Sequence, residues 1–350
     1  MKDKKIIVLA SAAVVLGTVA YFATSARKVK TPQLNGRNVL APFNVADVAK
    51  IEIGGEKKLV LAAGESGWTV ESCHGYPADV AKIRKNVVKL GELKVGQVAN
   101  GRKTASSVKV QLNGSDGGTL AALELGEMHM SKPRGQAEQF GGGGYPDGRY
   151  VKFGEHTVLV KDPLDAFDGD FKKWIDTGIC RVASADVTAV KYSKGGESVE
   201  LERKGQDWSL KGLKADEELD ASKTYSLDSA LSYLDLDDIA DPKLTDAELG
   251  LATGSVCTVS LKDGSVYTAK IGNASGSGRY FRISAAFEPV GTNAAENAAI
   301  AKKVDEFNGR AAKWTYLISS YAADSMSKSR ADLVKAKEEK KPAPSGSDAE

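Results

Sequence analysis

Cysteine and histidine are scarce in this chain, with three of each in 350 residues. Cys73, Cys180 and Cys257 are odd in number and show no C-x-x-C spacing, so a disulfide framework is not indicated. A single bridge stays open, although Cys257 in the run Val256-Cys257-Thr258-Val259 reads as a buried thiol. His74, His129 and His156, with no Gly-x-Ser-x-Gly anywhere, leave a nucleophilic triad little to stand on. The expectation is a protein that is not an enzyme.

An excess of either charge is also lacking. Lys and Arg number 48 against 46 Asp and Glu, a net of +2. Residues 1–30 carry six basic residues against Asp3, a local +5, which leaves −3 for the remainder. A mildly acidic body excludes the concentrated basic surface that a nucleic-acid partner would need. No Gly-Lys-Ser/Thr follows the glycine run Gly141-Gly142-Gly143-Gly144, so it is not a phosphate loop. The acidic groups Asp162, Asp165, Asp168, Asp170 and Asp235, Asp237, Asp238, Asp241 miss the spacing of an EF-hand, and helix capping explains them more simply. Cys73-His74 with Met128-His129-Met130 has the soft ligand types that suit Cu(I) or Zn. Nothing in the sequence brings the two groups together, and no metal or cofactor is expected.

Hydrophobic residues make up 42% of the chain, which is the composition of a folded protein. Ile6 to Ala23 is an uncharged run of 18 residues. As a helix it would span roughly 27 Å, close to the thickness of a bilayer's hydrocarbon core. Tyr21 and Phe22 stand near its far end, and Arg27, Lys28 and Lys30 follow at once. An uncleaved transmembrane anchor in the cytoplasmic membrane is expected, with a cleaved signal as the alternative. The short head then places the body outside the cytoplasm. From about Ser327 the chain turns to Lys, Ala and Glu and then to Pro342-Ala343-Pro344, which reads as a solvated helix extension and a disordered end.

The rest of the chain contains one pattern twice. Gly67-Trp68-Thr69-Val70 returns as Asp207-Trp208-Ser209-Leu210, each after a short meander of alternating strands. Trp174 and Trp314 repeat the same offset of 140 residues and read as structural anchors that close the two units, with carbohydrate platforms the lesser reading for all four tryptophans. Pro77-Ala78-Asp79 opens a helix with Val80, Ile83, Val87, Leu90 and Leu93 on one face. Leu219-Asp220 opens its counterpart with Tyr225, Leu227, Leu231 and Leu234, and a closing helix holds Val304, Phe307, Trp314, Leu317 and Ile318. The expected architecture is α+β: a transmembrane helix, then two tandem repeats, each a mainly antiparallel sheet with one or two covering helices. The expected boundaries are 1–30 for head and anchor, 31–42 linker, 43–182 first repeat, 183–325 second repeat and 326–350 charged tail.

One asymmetry stands out. Between Gly126 and Arg149 the first repeat encloses 22 residues, whereas Gly272 and Arg279 enclose six. A long loop present in only one copy is a candidate partner contact, with Phe140, Tyr145 and Arg149 as its marked residues.

The chain resembles the domain-of-unknown-function family four-three-four-zero over about 43–320. The resemblance rests on Gly67-Trp68 and Asp207-Trp208, on Pro77-Ala78-Asp79 and on Asp170-Phe171-Lys172-Lys173-Trp174-Ile175. It also rests on Leu123-Glu124-Leu125-Gly126 and Ala269-Lys270-Ile271-Gly272, each followed later by Arg-Tyr. The family's Tyr-Gly-Leu is missing from the first copy and approximated by Glu248-Leu249-Gly250-Leu251 in the second. The resemblance implies association with gliding-motility-type ABC transporters and brings no catalytic residue. The resulting expectation is a membrane-anchored, extracytoplasmic accessory or scaffold subunit of an envelope complex. The alternative is an extracytoplasmic protein that binds a glycan or small ligand in the groove between repeats.

Overall fold

The computed structural model describes residues 33–54, 58–101, 107–131, 144–224 and 227–337. The chain divides into two compact units between Ile175 and Asp176, with the stretch Cys73–Tyr76 grouped with the second.

In the first part of the chain the strands are β1 (Val48–Gly54), β2 (Leu59–Gly64), β3 (Gly67–Val70), β4 (Tyr76–Pro77), β5 (Val95–Val98), β6 (Val108–Gly114), β7 (Thr119–Met130), β8 (Pro146–Phe153) and β9 (His156–Val160). Their order in the sheet is β4-β3-β2-β1-β6-β7-β8-β9-β5. Alternation fixes which face is inside: Ile51 and Ile53 of β1 are fully buried, while Lys50 and Glu52 lie on the opposite face. Helix α1 (Val80–Gly91) starts where Asp79 accepts hydrogen bonds from the amides of Ala81 (2.9 Å) and Lys82 (3.1 Å), and it buries Ile83, Val87 and Leu90.

The second unit contains β10 (Gly178–Cys180), β11 (Val187–Lys194), β12 (Glu197–Lys204), β13 (Asp207–Leu210), β14 (Glu217–Leu219), β15 (Leu234–Asp235), β16 (Asp238–Ile239), β17 (Ser255–Leu261), β18 (Ser265–Ser275), β19 (Gly278–Phe287), β20 (Tyr316–Ser319) and β21 (Val334–Ala336). Its main sheet runs β13-β12-β11-β17-β18-β19-β20-β16. This is the succession of β3-β2-β1-β6-β7-β8-β9-β5, strand for strand. Helix α2 (Ala294–Ala311) packs along β19, where the Asn308 side chain exchanges two hydrogen bonds of 2.8 Å with the backbone of Ala285. Helix α3 (Ser320–Ser325) follows β20.

Several expectations are corrected here. Among the described residues strand accounts for 43% and helix for 19%, so the fold is mainly β, not α+β. Among the described residues the helix expected after Leu219-Asp220 is a single 3-10 turn, Ala221–Lys223, and residues 227–233 form turns before β15, while Tyr225 lies outside the described residues. Ser222, Thr224, Asp228, Ser229 and Ser232 crowd that segment, and short polar side chains compete with the helix for backbone partners. The closing helix ends at Ala311; Leu317 and Ile318 belong instead to β20, because Thr315-Tyr316-Leu317-Ile318 favours an extended chain that pairs with β19.

Among the described residues no helix is long and apolar enough to cross a membrane. The longest, α2, carries Glu296, Lys302, Lys303, Asp305, Glu306 and Arg310. This corrects the expected architecture and the single-pass membrane location built on it, since the described residues supply no transmembrane element; the Ile6–Ala23 segment lies outside them. The tail up to residue 337 is also different from expectation, and the rest of it, with Pro342-Ala343-Pro344, lies outside the described residues. Met326 and Leu333 are fully buried, and β21 pairs with β14. Leu333 is the apolar anchor that a Lys/Ala/Glu reading of this stretch passed over.

The tryptophan anchors divide. Trp68 pairs with Ala63 and Trp208 with Arg203, the same place in each meander. Trp174 and Trp314 are not equivalent: Trp174 follows β9, whereas Trp314 precedes β20, the strand that takes β9's place. The shared offset is a coincidence of lengths. Gly154 and Glu155 join β8 to β9 directly, while α2 intervenes between β19 and β20.

Candidate interaction surface

The residues that position the surface are a bulge and an arginine. Along β7, Leu125 pairs with Val151 and then, after a register shift, Met128 pairs with Arg149. Along β18, Ile271 pairs with Phe281 and then Ala274 with Arg279. A bulge takes a carbonyl out of the ladder, and in each unit the arginine opposite supplies the missing donor. Arg149 Nε donates to the Gly126 carbonyl at 2.9 Å, and its Nη1 reaches the Leu164 carbonyl at 3.2 Å and Asp168 Oδ1 at 2.5 Å. Arg279 Nε and Nη2 donate to the Gly272 carbonyl at 3.1 and 2.9 Å, with Asp324 3.8 Å from Nη1. The preceding glycines are required by the next strand. A Cβ on Gly148 would overlap the Val160 carbonyl, and one on Gly278 would lie 2.6 Å from the Ile318 carbonyl. Gly-Arg-Tyr is therefore a structural signature, repeated at 148–150 and 278–280.

Beyond the bulge the units part. The β18–β19 hairpin closes at Ser275 and Gly278. The β7–β8 hairpin continues as an arm: His129 pairs with Gly148, Met130 pairs with Pro146, and the Ser131 amide donates to the Tyr145 carbonyl at 2.9 Å. His129 Nδ1 meets Asp147 Oδ1 at 2.5 Å and its ring meets the edge of Tyr150. At the end of the described part of this arm Met130 is 51% exposed and Tyr145 is 70% exposed.

The expected partner residues thus separate. Tyr145 is at the surface, Arg149 is 4% exposed with its donors turned inward, and Phe140 lies outside the described residues. Met130, which the sequence marks only through its sulfur, is the second exposed member. Trp174, Trp208 and Trp314 are not bare platforms of the kind sugars stack on. Trp174 is fully buried with Nε1 on the Ala166 carbonyl at 2.9 Å. Trp68 is half-buried, Arg203 lies over the Trp208 ring, and Lys313 lies over the Trp314 ring.

The other candidate groups are absorbed locally. Asp170 caps the 3-10 turn Phe171–Trp174, Asp162 accepts from the Leu164 amide, and Asp165 pairs with Lys173. Asp235 pairs with Arg181 and Asp241 accepts from the Lys243 amide. Among the described residues no three His, Cys, Asp or Glu side chains are grouped to hold a metal. Cys180 and Cys257 are free, buried thiols. Burial pushes the Cys180 thiol up to about 11 and Cys257 up to about 12, which keeps both protonated and unreactive at neutral pH.

A family model described as Domain of unknown function (DUF4340) matches residues 68–253, more than half of the chain. The chain belongs to the DUF4340 family. The DUF4340 match begins in β3 and ends just before β17, so it crosses the division between the units. Within it lie both Trp strands, the bulge at Gly126 and the Arg149 brace. No curated protein and no solved structure matches the chain.

Proposed function

We propose that this DUF4340 protein is a non-enzymatic accessory or scaffold subunit of a complex built around an ABC-type transporter, and that it carries the family's domain in two tandem copies. The tandem reading draws support from the shared strand succession and from the Gly-Arg-Tyr brace that each unit contains. The transporter association follows from the family resemblance.

One observation carries the scaffold reading. The two units share a hairpin up to the bulge, and only the first extends it into an arm that presents Met130 and Tyr145 to solvent. Exposed apolar side chains on a braced element favour a protein contact over a catalytic one. The arm is held from beneath by Arg149 and Asp168 and along its length by His129 and Asp147, so its contact residues need little ordering on binding.

The test is affinity purification of the tagged full-length chain from cross-linked cells, beside the double variant Met130→Ser/Tyr145→Ser. Recovery of transporter subunits with the native chain, lost with the double variant while its circular dichroism is unchanged, is the expected result. Recovery of the bait alone would sink the subunit reading. Equal recovery with both chains would move the contact away from the arm.

A further inference from the structure

At one end of the second unit's main sheet, the buried face of the strands runs out into charged residues. Tyr192 and Val199 are a cross-strand pair, 2% and 7% exposed. Two residues further along each strand, on the same face, Lys194 pairs with Glu197. Ser255, 4% exposed, begins the neighbouring β17. Ser327 to Asp332 lie against this end, and together they enclose a pocket of about 290 Å³.

The charges in the pocket do not cancel among themselves. Asp332 is occupied by the amide and hydroxyl of Ser329, at 2.8 and 2.7 Å. Arg330 gives one nitrogen to Glu217 and to the Gly212 carbonyl, but its Nε is buried with no acceptor among the described residues. That nitrogen is closed off from solvent, so Arg330 meets the pocket through the rest of its side chain. Among the described residues Lys194, Glu197 and Lys328 make no ion pair within 4.0 Å.

These groups select for a class of ligand. A simple anion would meet Glu197 and Asp332, and a simple cation would meet Lys194, Lys328 and Arg330. A molecule that carries both charges a few bonds apart satisfies both sets. The volume is below the range of about 300–1,000 Å³ typical of drug-sized ligands, so the molecule is small. We propose that this pocket binds a small zwitterion of the size and chemistry of a free α-amino acid. Its carboxylate is held by Lys328, with Lys194 as the second unpaired cation of the lining, and its ammonium faces Glu197. Ser255 lines the pocket beside them, and Tyr192 and Val199 form the apolar wall. The site belongs to the second unit alone and is separate from the arm of the first.

The experiment is isothermal titration calorimetry of the full chain with the free proteinogenic α-amino acids, first as a mixture and then singly. Acetate and methylammonium, each one half of the zwitterion, are the controls. At least one amino acid binds while neither half does. Glu197→Gln and Lys328→Met each weaken that binding by about tenfold or more, the loss expected for one charge-assisted contact. Glu197 is exposed and Lys328 half-exposed, so both variants fold, as unchanged circular dichroism will show. Absence of heat with every amino acid overturns the proposal. So does binding that both variants leave unchanged, or acetate binding as tightly as the amino acid.

Discussion

The two arginines of the repeated brace make the same hydrogen bond in different surroundings, and that difference is measurable. Arg149 is nearly enclosed and serves the Gly126 and Leu164 carbonyls and Asp168. Replacing it by Leu strands these acceptors, at a cost of about 2–3 kcal/mol. The Arg279 side chain is 27% exposed and its carboxylate partner Asp324 is 68% exposed, so water can replace part of what is lost. Arg279→Leu is expected to cost about 1 kcal/mol. Urea denaturation of the two variants checks the order, and an equal or reversed cost would mean that the brace is not what distinguishes them. The glycine before each arginine makes a second claim at this scale. Gly278→Ala forces a Cβ against the Ile318 carbonyl, a backbone atom that cannot rotate away, and should cost about 1–3 kcal/mol. Hydrogen exchange should quicken along β19 and β20 first; unchanged protection there would show that the strands can part without penalty.

Among the elements, the least legible from sequence was the C-terminal clasp. β21 pairs with β14 through Glu217–Ala336, Glu218–Lys335 and Leu219–Val334, with Lys335 3.0 Å from Glu218. The hydrogen bond from Arg330, then that from the Lys214 amide, holds the Glu217 carboxyl down to about 2 from an ordinary 4.5. A depressed carboxylate contributes stability that is fully present above its unfolded value and is lost as pH falls through its folded one. The difference in melting temperature between the native chain and Glu217→Gln should therefore be constant at neutral pH and shrink between about 4.5 and about 2. A difference that does not change with pH would remove Glu217 from the clasp. The sequence hid this element because three residues of strand carry no period, and the charged residues around it look like a solvated tail. The same limit explains the helix expected at 220–234, whose apolar spacing was right for a helix and whose serines were not. What could be read was what repeats or caps: the meanders through Trp68 and Trp208, Asp79 at the start of α1, and the Arg-Tyr strands. The brace itself was not legible, since a bulge leaves no mark beyond a glycine.

For the molecule as a whole, the question is whether two units with one strand succession also have two separate cores. Leu61 and Leu201 answer it, because each is fully buried, sits in the second strand of its meander, and pairs with the strand that carries Trp68 or Trp208. Truncating either to Ala leaves a cavity that should cost about 2–5 kcal/mol. If each unit holds its own core, the loss stays local. Leu61→Ala then speeds hydrogen exchange in β1 and β6 and leaves β11 and β17 protected, and Leu201→Ala does the reverse. Mutual loss of protection would mean that the units fold as one, and the tandem reading would then describe sequence history without describing independent folding. Local loss would support treating the family's domain as the physical unit, although the family match itself crosses the boundary. It would also separate the two proposed sites: the Met130–Tyr145 arm could then be disabled through the first core while the zwitterion pocket of the second stays intact.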